Sequence, residues 1–384
     1  MRDEQAPGDR RLAVVVAKPR TQSAIDALRS EGVYDADRSV QSWDSDGVAI
    51  PVTAPPESVD VRDVVQQVGE RRLRTLEDHL RQRGWTDDGL DAAPSSWAVV
   101  GSVVLVEMGE APRPDEVGEA LLALHGEADT VLARGGIDGV HREPDVTVVA
   151  GEGDTETVHT EHGTEYALDL AEVMFSPGNK AERARMGAVV EGRDQRERPS
   201  AQASGETASD AERVLDMFAG IGYFTLPMAR AGAHVTAVEH NPIAFRYLVE
   251  NTMRNGVDDR VHPYRADCRE VVNAALTDGT DERGASAGTR PTSVGFAETG
   301  RVDRVVMGYY EAWEYLDSAL AAVKTGGVLH MHEATPDPLV FERPIERLEA
   351  AAADAGRGVE ILDTRRVKGY SEGVAHVVVD ARIE

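Results

Sequence analysis

From Val214 to the C-terminus the chain alternates between short apolar runs and helix-period segments, and this alternation constrains the fold more than any other feature. The apolar runs are RVLDMF, HVTAVEH, RVHPYRAD, RVDRVVMG and GVLHMHEA, with FTLPMARAG, PIAFRYLVENTMRNG, REVVNAAL and EYLDSALAAVKTGG between them. A helix after Pro338 and two closing strands, VEILDTRRV and AHVVVDARI, complete the pattern. Parallel strands need a crossover, usually a helix, so strands rich in β-branched residues alternating with helices predict a mostly parallel sheet covered on both faces. The closing strands have no helix between them and predict an antiparallel edge. Residues 212–384 are therefore expected to form an α/β domain, doubly wound and Rossmann-like.

The preceding residues read differently. Residues 1–60 predict a small N-terminal α/β unit: LAVVVAKP is a strand, TQSAIDALRSEG an amphipathic helix ending at Gly32, and GVAIPV a second strand. Residues 61–190 predict an α+β domain with a mixed sheet. Its first segment, VVQQVGERRLRTLEDHLRQRG, has a helical period and stops at Gly84. WAVVGSVVLVEM then reads as a hairpin, and RPDEVGEALLALHG as a helix with Pro near its start and Gly at its end. Short strands broken by Gly and Asp follow, and residues 178–190 predict a helix. The stretch 191–211, poor in apolar residues, predicts a flexible linker. A similar stretch at 277–300 falls inside the last domain and predicts a surface insertion.

Among 384 residues, Asp and Glu number 68 and Lys and Arg 41, a net charge of −27. A basic DNA-packaging protein is excluded, and no DNA partner is expected. RNA binding is not excluded, because a local basic patch can sit on an acidic body. The only lysines are Lys18, Lys180, Lys324 and Lys368. An acidic, lysine-poor surface fits a salty cytosol, where a Debye length of roughly 3 Å at 1 M salt screens self-repulsion. The single cysteine, Cys268, excludes an internal disulfide framework and a multi-cysteine zinc site. No apolar run approaches the ~20 residues needed to span a bilayer, and the start, MRDEQAPGDRR, lacks a signal-peptide core. A cytoplasmic protein without a membrane partner is expected.

The sharpest local motif is Asp216-Met-Phe-Ala-Gly220-Ile-Gly222, at a strand-to-helix junction. Glycines there let a ligand approach the backbone without a Cβ clash. Glu239 ends the next strand, where an acidic residue binds ribose hydroxyls in nucleotide-binding folds, and Asp267 ends the third, where a carboxylate can accept from an adenine amino group. A lone G-x-G is ordinarily a plain turn. Three strand-end features in register point instead to a nucleoside. No third glycine follows, and Tyr223-Phe224 stand after Gly222, so S-adenosylmethionine (AdoMet) is preferred over a dinucleotide. The doubly wound fold is also that of most AdoMet-dependent methyltransferases.

At this point the chain resembles the class I tRNA-modifying enzymes that act on the guanosine 3′ of the anticodon, position 37. One branch methylates N1 of guanine; the other, in the wybutosine pathway, moves the 3-amino-3-carboxypropyl (acp) group of AdoMet onto 4-demethylwyosine. The resemblance spans nearly the whole chain. It includes Glu119-Ala-Leu-Leu-Ala-Leu-His125, Thr130-Val-Leu-Ala-Arg134, Phe175-Ser176-Pro177-Gly178-Asn179 with Glu182-Arg183, the glycine motif, Glu239-His-Asn-Pro242 and Asp267-Cys-Arg-Glu270. The methylating branch carries Asn-Leu-Pro after the fourth strand. Here that position reads Gly308-Tyr309-Tyr310, without Asn or Pro. This, with Leu329-His330-Met-His332-Glu333 and the closing Gly373-Val-Ala-His-Val-Val-Val-Asp380, is similar to the acp-transferring branch. The linker and the insertion have no counterpart in the resemblance. It implies AdoMet as acp donor, tRNA(Phe) as partner and methylthioadenosine as product. It further implies that Ser176 and Arg183 contact the methionine part, Glu239 the ribose, and Asp267 with the Cys268 backbone the adenine. Lys180 stands as the next cation should Arg183 not serve.

The sulfonium makes three carbons electrophilic, and orientation selects among them, so no catalytic side chain is required. Tyr309, Tyr310 and Trp313 could stack on a tricyclic base or pack the next helix. Tyr309, Tyr310 and His332 are carried as substrate-side candidates. His330 and His332 share a strand face, yet no third ligand is evident, and a packed strand end is preferred over a metal. No base is placed beside Cys268, which reads as a small strand-end residue rather than a nucleophile. The arginine-rich segments read as solvated faces. Alternatives are N1-guanine methylation and, from another class, an RNA-binding protein with a structural AdoMet. Oligomeric state is left open.

Overall fold

The computed structural model describes residues 12–66, 71–139, 142–192, 211–278 and 301–384. Most of the expected linker at 191–211 and of the expected insertion at 277–300 lies outside the described residues. The chain forms two compact units, Met1–Leu90 and Asp91–Glu384.

The first unit holds β1 (Leu12–Ala17), α1 (Thr21–Glu31), β2 (Gln41–Ser42), β3 (Gly47–Val52), β4 (Asp63–Gln66) and α2 (Leu76–Gln82). Its antiparallel sheet runs β2-β3-β1-β4. Val14, Val16 and Ile50 bury one face against Ala24 and Leu28 of α1, which ends at the left-handed Gly32. Two expectations change here. Val64-Val65-Gln66 are not the start of a helix but part of β4, paired with β1 from Leu12↔Gln66 to Val15↔Asp63. Pairing satisfies the free edge of β1, which a weakly amphipathic helix could not. The helix begins only at α2, where Thr75 accepts from the Asp78 N–H in a capping box. Because β4 joins the sheet, the unit continues past residue 60 to Leu90. A single turn, α3 (Asp87–Asp91), closes it.

The second unit opens with β5 (Trp97–Val100), β6 (Val103–Val106), α4 (Pro114–Leu124), β7 (Thr130–Asp138) and β8 (Glu143–Gly151) in a sheet ordered β5-β6-β7-β8. β6 and β7 are parallel, as a helical crossover requires, and the other pairs antiparallel. A hairpin of β9 (Glu156–Glu161) and β10 (Thr164–Asp169) and then α5 (Lys180–Val190) lead into the C-terminal sheet. That sheet contains β11 (Arg213–Asp216), β12 (His234–Glu239), β13 (Val261–Arg265), β14 (Val302–Met307), β15 (Val323–Pro336), β16 (Val359–Ser371) and β17 (Val374–Ile383). Their order is β13-β12-β11-β14-β15-β17-β16. β11 to β15 are parallel, and β17 inserts antiparallel between β15 and β16. The predicted doubly wound fold is present. One helix is shorter than its sequence pattern, since α9 (Leu316–Ala322) stops where Val323 already pairs with Val302 in the sheet.

Helices α6 (Thr225–Arg230) and α7 (Pro242–Arg254) cover one face with Leu226 and Leu248. α8 (Cys268–Asp278), α9 and α10 (Glu342–Asp354) cover the other with Val272, Leu316 and Leu348. Two polar fastenings hold the upstream elements to this core. Asn251 of α7 accepts from the Ala167 N–H at 2.7 Å and donates to the Ala167 and Ile221 carbonyls at 3.0 Å, closing the backbone of β10. Arg365 of β16 donates to Glu182 of α5 at 2.7 Å and to Asp380 of β17 at 3.0 Å, tying α5 to the sheet. The strand order reverses at β11, whose neighbours are β12 and β14, and ligands of such sheets bind outside the strand ends at this point.

Candidate functional site

A cavity of about 410 Å³ opens beyond the ends of β11 to β14, within the range of small-molecule sites. Gly220 lies on its wall at φ +56°, and a Cβ there would meet the Tyr223 ring at 2.5 Å. Only glycine fits the turn. Asp216 lies beneath it, fully buried, accepting from the Thr225 hydroxyl at 2.7 Å and the Phe218 N–H at 3.4 Å. Burial, against these hydrogen bonds, lifts its carboxyl to about 6. Asp216 and Gly222 do not line the cavity; they shape the loop that does.

Glu239 lines the cavity. Its carboxylate accepts from Gly220 N–H at 2.7 Å and Asn241 N–H at 2.6 Å. Burial raises its pKa. The His240 N–H donates to it as well, so of the roughly four lone-pair sites of a carboxylate one remains for a hydroxyl. Asp267 and Cys268 also line the cavity. Arg269 holds Asp267 ionised and below the usual carboxylate range through a side-chain hydrogen bond. Burial pushes the Cys268 thiol up to about 12, which removes thiolate chemistry at neutral pH.

Tyr309 and Tyr310 also line the cavity. Tyr309 packs 5.2 Å from Phe218 and donates to Glu311 at 2.7 Å; Tyr310 meets His376 edge-on at 4.8 Å. The Arg142 guanidinium lies 5.7 Å and 5.1 Å from the two tyrosine rings. Arg142 has φ 55°, a left-handed backbone rare outside glycine. Trp313 takes the packing role, with Arg347 4.1 Å above its ring. His332 is a correction. It is 1% exposed and outside the cavity lining, its Nδ1 3.0 Å from Nε2 of His376, which does line it. Burial lowers His332 to about 4, so it stays neutral. Alternation placed it correctly on a face with His330, but β15 is buried on both faces. His330 is held between Asp380, at 2.6 Å, and Arg304. Among the described residues no group of His, Cys, Asp and Glu is arranged to hold a metal.

The predicted methionine contacts are also redistributed. The fork of Arg183 is closed on Glu161, Nε and Nη2 donating at 2.7 and 2.8 Å, and Nη1 donates to the Ser176 carbonyl at 3.0 Å. Both side chains are nearly inaccessible, at 2% and 3%. Burial alone would raise Glu161, but hydrogen bonds from His159 and Arg183 hold it at about 2. Arg183 therefore lines a second cavity, of about 320 Å³, rather than the one at the strand ends, and stacks 4.9 Å from Phe175. Lys180, the fallback cation, is exposed. The cation beside Ser176 is Lys368 of β16, which donates to the Ser176 hydroxyl. Arg142, Lys368, Asn179 and His376 were not singled out from the sequence as site residues, although Asn179 and His376 fall inside motifs that carry the resemblance. None sits in a strand-end motif, and Lys368 and His376 face one another only through the β16–β17 pairing.

The fold and this cavity define a class I, methyltransferase-type nucleoside domain with added upstream elements. Comparison with known proteins gives the family. The TRM5/TYW2 methyltransferase domain matches residues 157–280 and 292–362, and the TYW2 N-terminal domain matches residues 76–155. The chain belongs to the TRM5/TYW2 family. It is 34% identical over 294 residues to the tRNA(Phe) (4-demethylwyosine(37)-C(7)) aminocarboxypropyltransferase of Pyrococcus horikoshii, covering 76% of this chain and 90% of the relative. The protein of the same name from Methanocaldococcus jannaschii is 35% identical over 290 residues, covering 74% and 96%. The crystal structure of P. horikoshii TYW2 in complex with MeSAdo superposes with a TM-score of 0.58 at 31% identity, covering 79% of this chain and 96% of that one.

Proposed function

We propose that this chain transfers the acp group of AdoMet to C7 of 4-demethylwyosine at position 37 of tRNA(Phe), releasing methylthioadenosine. One observation carries the choice of branch. The segment after β14 reads Gly308-Tyr309-Tyr310, so two aromatic rings line the cavity, with Arg142 beside them, where the methylating branch has Asn and Pro after its fourth strand. A tricyclic base can stack on such rings, and a guanidinium adds attraction to π-faces. The names of the P. horikoshii and M. jannaschii relatives support the same reading.

The cavity fits AdoMet. The Gly220 wall leaves no room for a side chain but admits a ligand, Glu239 lines the cavity at its strand end where a ribose hydroxyl can donate to it, and Asp267 lies at the next strand end to accept from the adenine amino group. AdoMet when bound would supply an electrophilic Cγ, whose bond to sulfur breaks as C7 of the base bonds to it, the pair of electrons going to sulfur and the C7 proton passing to water. The protein orients: Glu239 and the loop fix the nucleoside, the Ser176–Asn179 turn bounds the chain, and the tyrosines hold the base. Positioning of this kind supplies up to roughly 7–11 kcal/mol of a barrier. Arg183 acts through Ser176, whose carbonyl it anchors. We place the work in the cytoplasm of a salt-adapted cell, on the acidic, lysine-poor composition and the absence of any described helix long and apolar enough to cross a membrane.

The test is the small-molecule product. Protein incubated with AdoMet and tRNA(Phe) carrying 4-demethylwyosine is expected to accumulate methylthioadenosine. S-adenosylhomocysteine as the main product moves the chain to the methylating branch.

A further inference from the structure

A tyrosine that the proposed function leaves unused stands next to one that it employs. Tyr370 is 49% exposed near the end of β16, and with Trp43 and Tyr264 it is one of three exposed aromatic rings among the described residues. Of the three, only Tyr370 has a ring contact with a residue of the strand-end cavity. It meets Tyr310 at 4.7 Å, the two planes inclined by 68°. An edge-on pair covers at most one face of either ring, so at least one face of Tyr370 is left uncovered by Tyr310. The backbone sets the ring there. The β16–β17 pairing passes from Gly369↔Ala375 to Ser371↔Val374, which leaves Tyr370 as the extra residue of a β-bulge. Bulges re-aim a side chain and are frequent beside active sites. The charge on this side is positive, since Arg134, Arg142 and Arg183 all act on Lys368, two residues before Tyr370.

An exposed ring beside a cavity that takes one base is the complement of a second base. A target base drawn into the cavity leaves the stack of its strand, and its neighbours each lose a partner. Proteins that bind single-stranded RNA restore such stacking on aromatic side chains, for any base, because every base has a π-face. Stacking also does not rest on charge, in a chain whose net −27 repels phosphates outside a local basic patch. We propose that Tyr370 is the stacking platform for the nucleotide adjoining the target base, so that Tyr310 in the cavity wall and Tyr370 beside it take two consecutive bases. This rests on the RNA reading of the cavity and deepens it: the substrate is gripped at two bases, whichever group is transferred.

The experiment is equilibrium binding of tRNA(Phe) carrying 4-demethylwyosine to the full chain, read without turnover. Tyr370→Ala is expected to weaken it roughly five- to a hundredfold, the worth of one base–aromatic stack, with Tyr370→Phe and Tyr370→Trp retaining the affinity. Calorimetry is expected to give Y370A the AdoMet affinity of the unaltered protein, which also certifies its fold. Two further tRNAs, abasic on the 5′ or on the 3′ side of the target, identify the stacked nucleotide. With one of them the unaltered protein is expected to lose affinity and Y370A to lose nothing more. Unchanged tRNA affinity in Y370A overturns the proposal. So does a loss that persists in full with both abasic tRNAs, since Tyr370 would then act by holding Tyr310. A loss shared by Tyr370→Phe also overturns it, giving the contact to the hydroxyl, as does an equal loss of AdoMet, which would make the ring part of the cavity wall. The test is separate from that of the acp reading. A chain found to release S-adenosylhomocysteine can still grip two bases, and one that releases methylthioadenosine can still fail the abasic comparison.

Discussion

Replacing Asp216 by Asn is expected to stabilise the C-terminal domain, and to do so only above mildly acidic pH. The side chain is fully buried at the end of β11, and burial lifts its carboxyl from the ordinary 3.8 to about 6. Each pKa unit is worth about 1.4 kcal/mol, so keeping this group ionised costs the native state about 3 kcal/mol at pH 7.5. The folded value lies above the unfolded one. The penalty is therefore absent below about 3.8, grows between 3.8 and 6, and is complete above 6. An amide keeps two of these contacts, its oxygen accepting from the Phe218 N–H and its nitrogen donating to the Thr225 hydroxyl, and gives up the hydrogen bond that the Thr225 N–H donates to the carboxylate, which reduces the gain. Urea unfolding of D216N and the unaltered chain at pH 4 and 7.5 measures the effect. The relevant transition is the one that added AdoMet moves, because a ligand stabilises only the unit it binds. The gain should reach at most about 3 kcal/mol at pH 7.5 and mostly vanish at pH 4. A gain equal at both pH values would mean packing rather than charge. A loss at both would mean that the hydrogen bonds to the ionised form outweigh its desolvation, and would refute the reasoning.

Two further outcomes follow from the same geometry. Glu239→Ala should weaken AdoMet and methylthioadenosine alike by about 1–3 kcal/mol, since both carry the ribose; calorimetry with unchanged affinities removes Glu239 from the site. Arg183→Ala should cost about 3–5 kcal/mol in urea unfolding by leaving the Glu161 carboxylate buried without its fork, and an added Glu161→Gln should restore part of it. Glu161 is held at about 2, so its contribution is complete above its ordinary 4.5 and is lost as pH falls through 2; R183A losing no stability at pH 7 would contradict this.

The parts of this protein that were legible in its sequence are those built from near neighbours in the chain. The glycine loop, Glu239 and Asp267 each end a strand, and alternation alone places such residues at one edge of a parallel sheet. Cys268 could be read as a packing residue because no base accompanies it. What failed was long-range or conformational. Val64-Val65-Gln66 open a segment with a helical period, but the free edge of β1 claims them. Arg183 looks like a free fork until β9 brings Glu161 against it. His332 lies on the predicted face, yet period-two alternation does not say that both faces of β15 are interior. Arg142 earns its place through a left-handed backbone that no local pattern announces.

The two ends of the cavity therefore have different physical origins. The nucleoside end is made by main-chain turns and carboxylates at the ends of β11 to β13, parts any nucleoside-binding doubly wound domain can own. The other end depends on what this chain adds to that fold. β17, inserted antiparallel between β15 and β16, sets His376 beside Lys368, and the Ser176–Asn179 turn is held over them by Arg183 and by the tie from α5 to Arg365. On the proposed reading, the nucleoside anchors cannot decide which carbon meets the base, because the sulfur can present any of its three substituents from one ribose position. Only the placement of the amino-acid chain can, and a misplacement of about 1 Å at such a centre is worth about a hundredfold in rate. On that reading the choice between methyl and acp transfer falls to the wall that Asn179 and His376 bring to the cavity rather than to the glycine motif, and mutations at Asn179 should alter it where those at Glu239 only weaken binding.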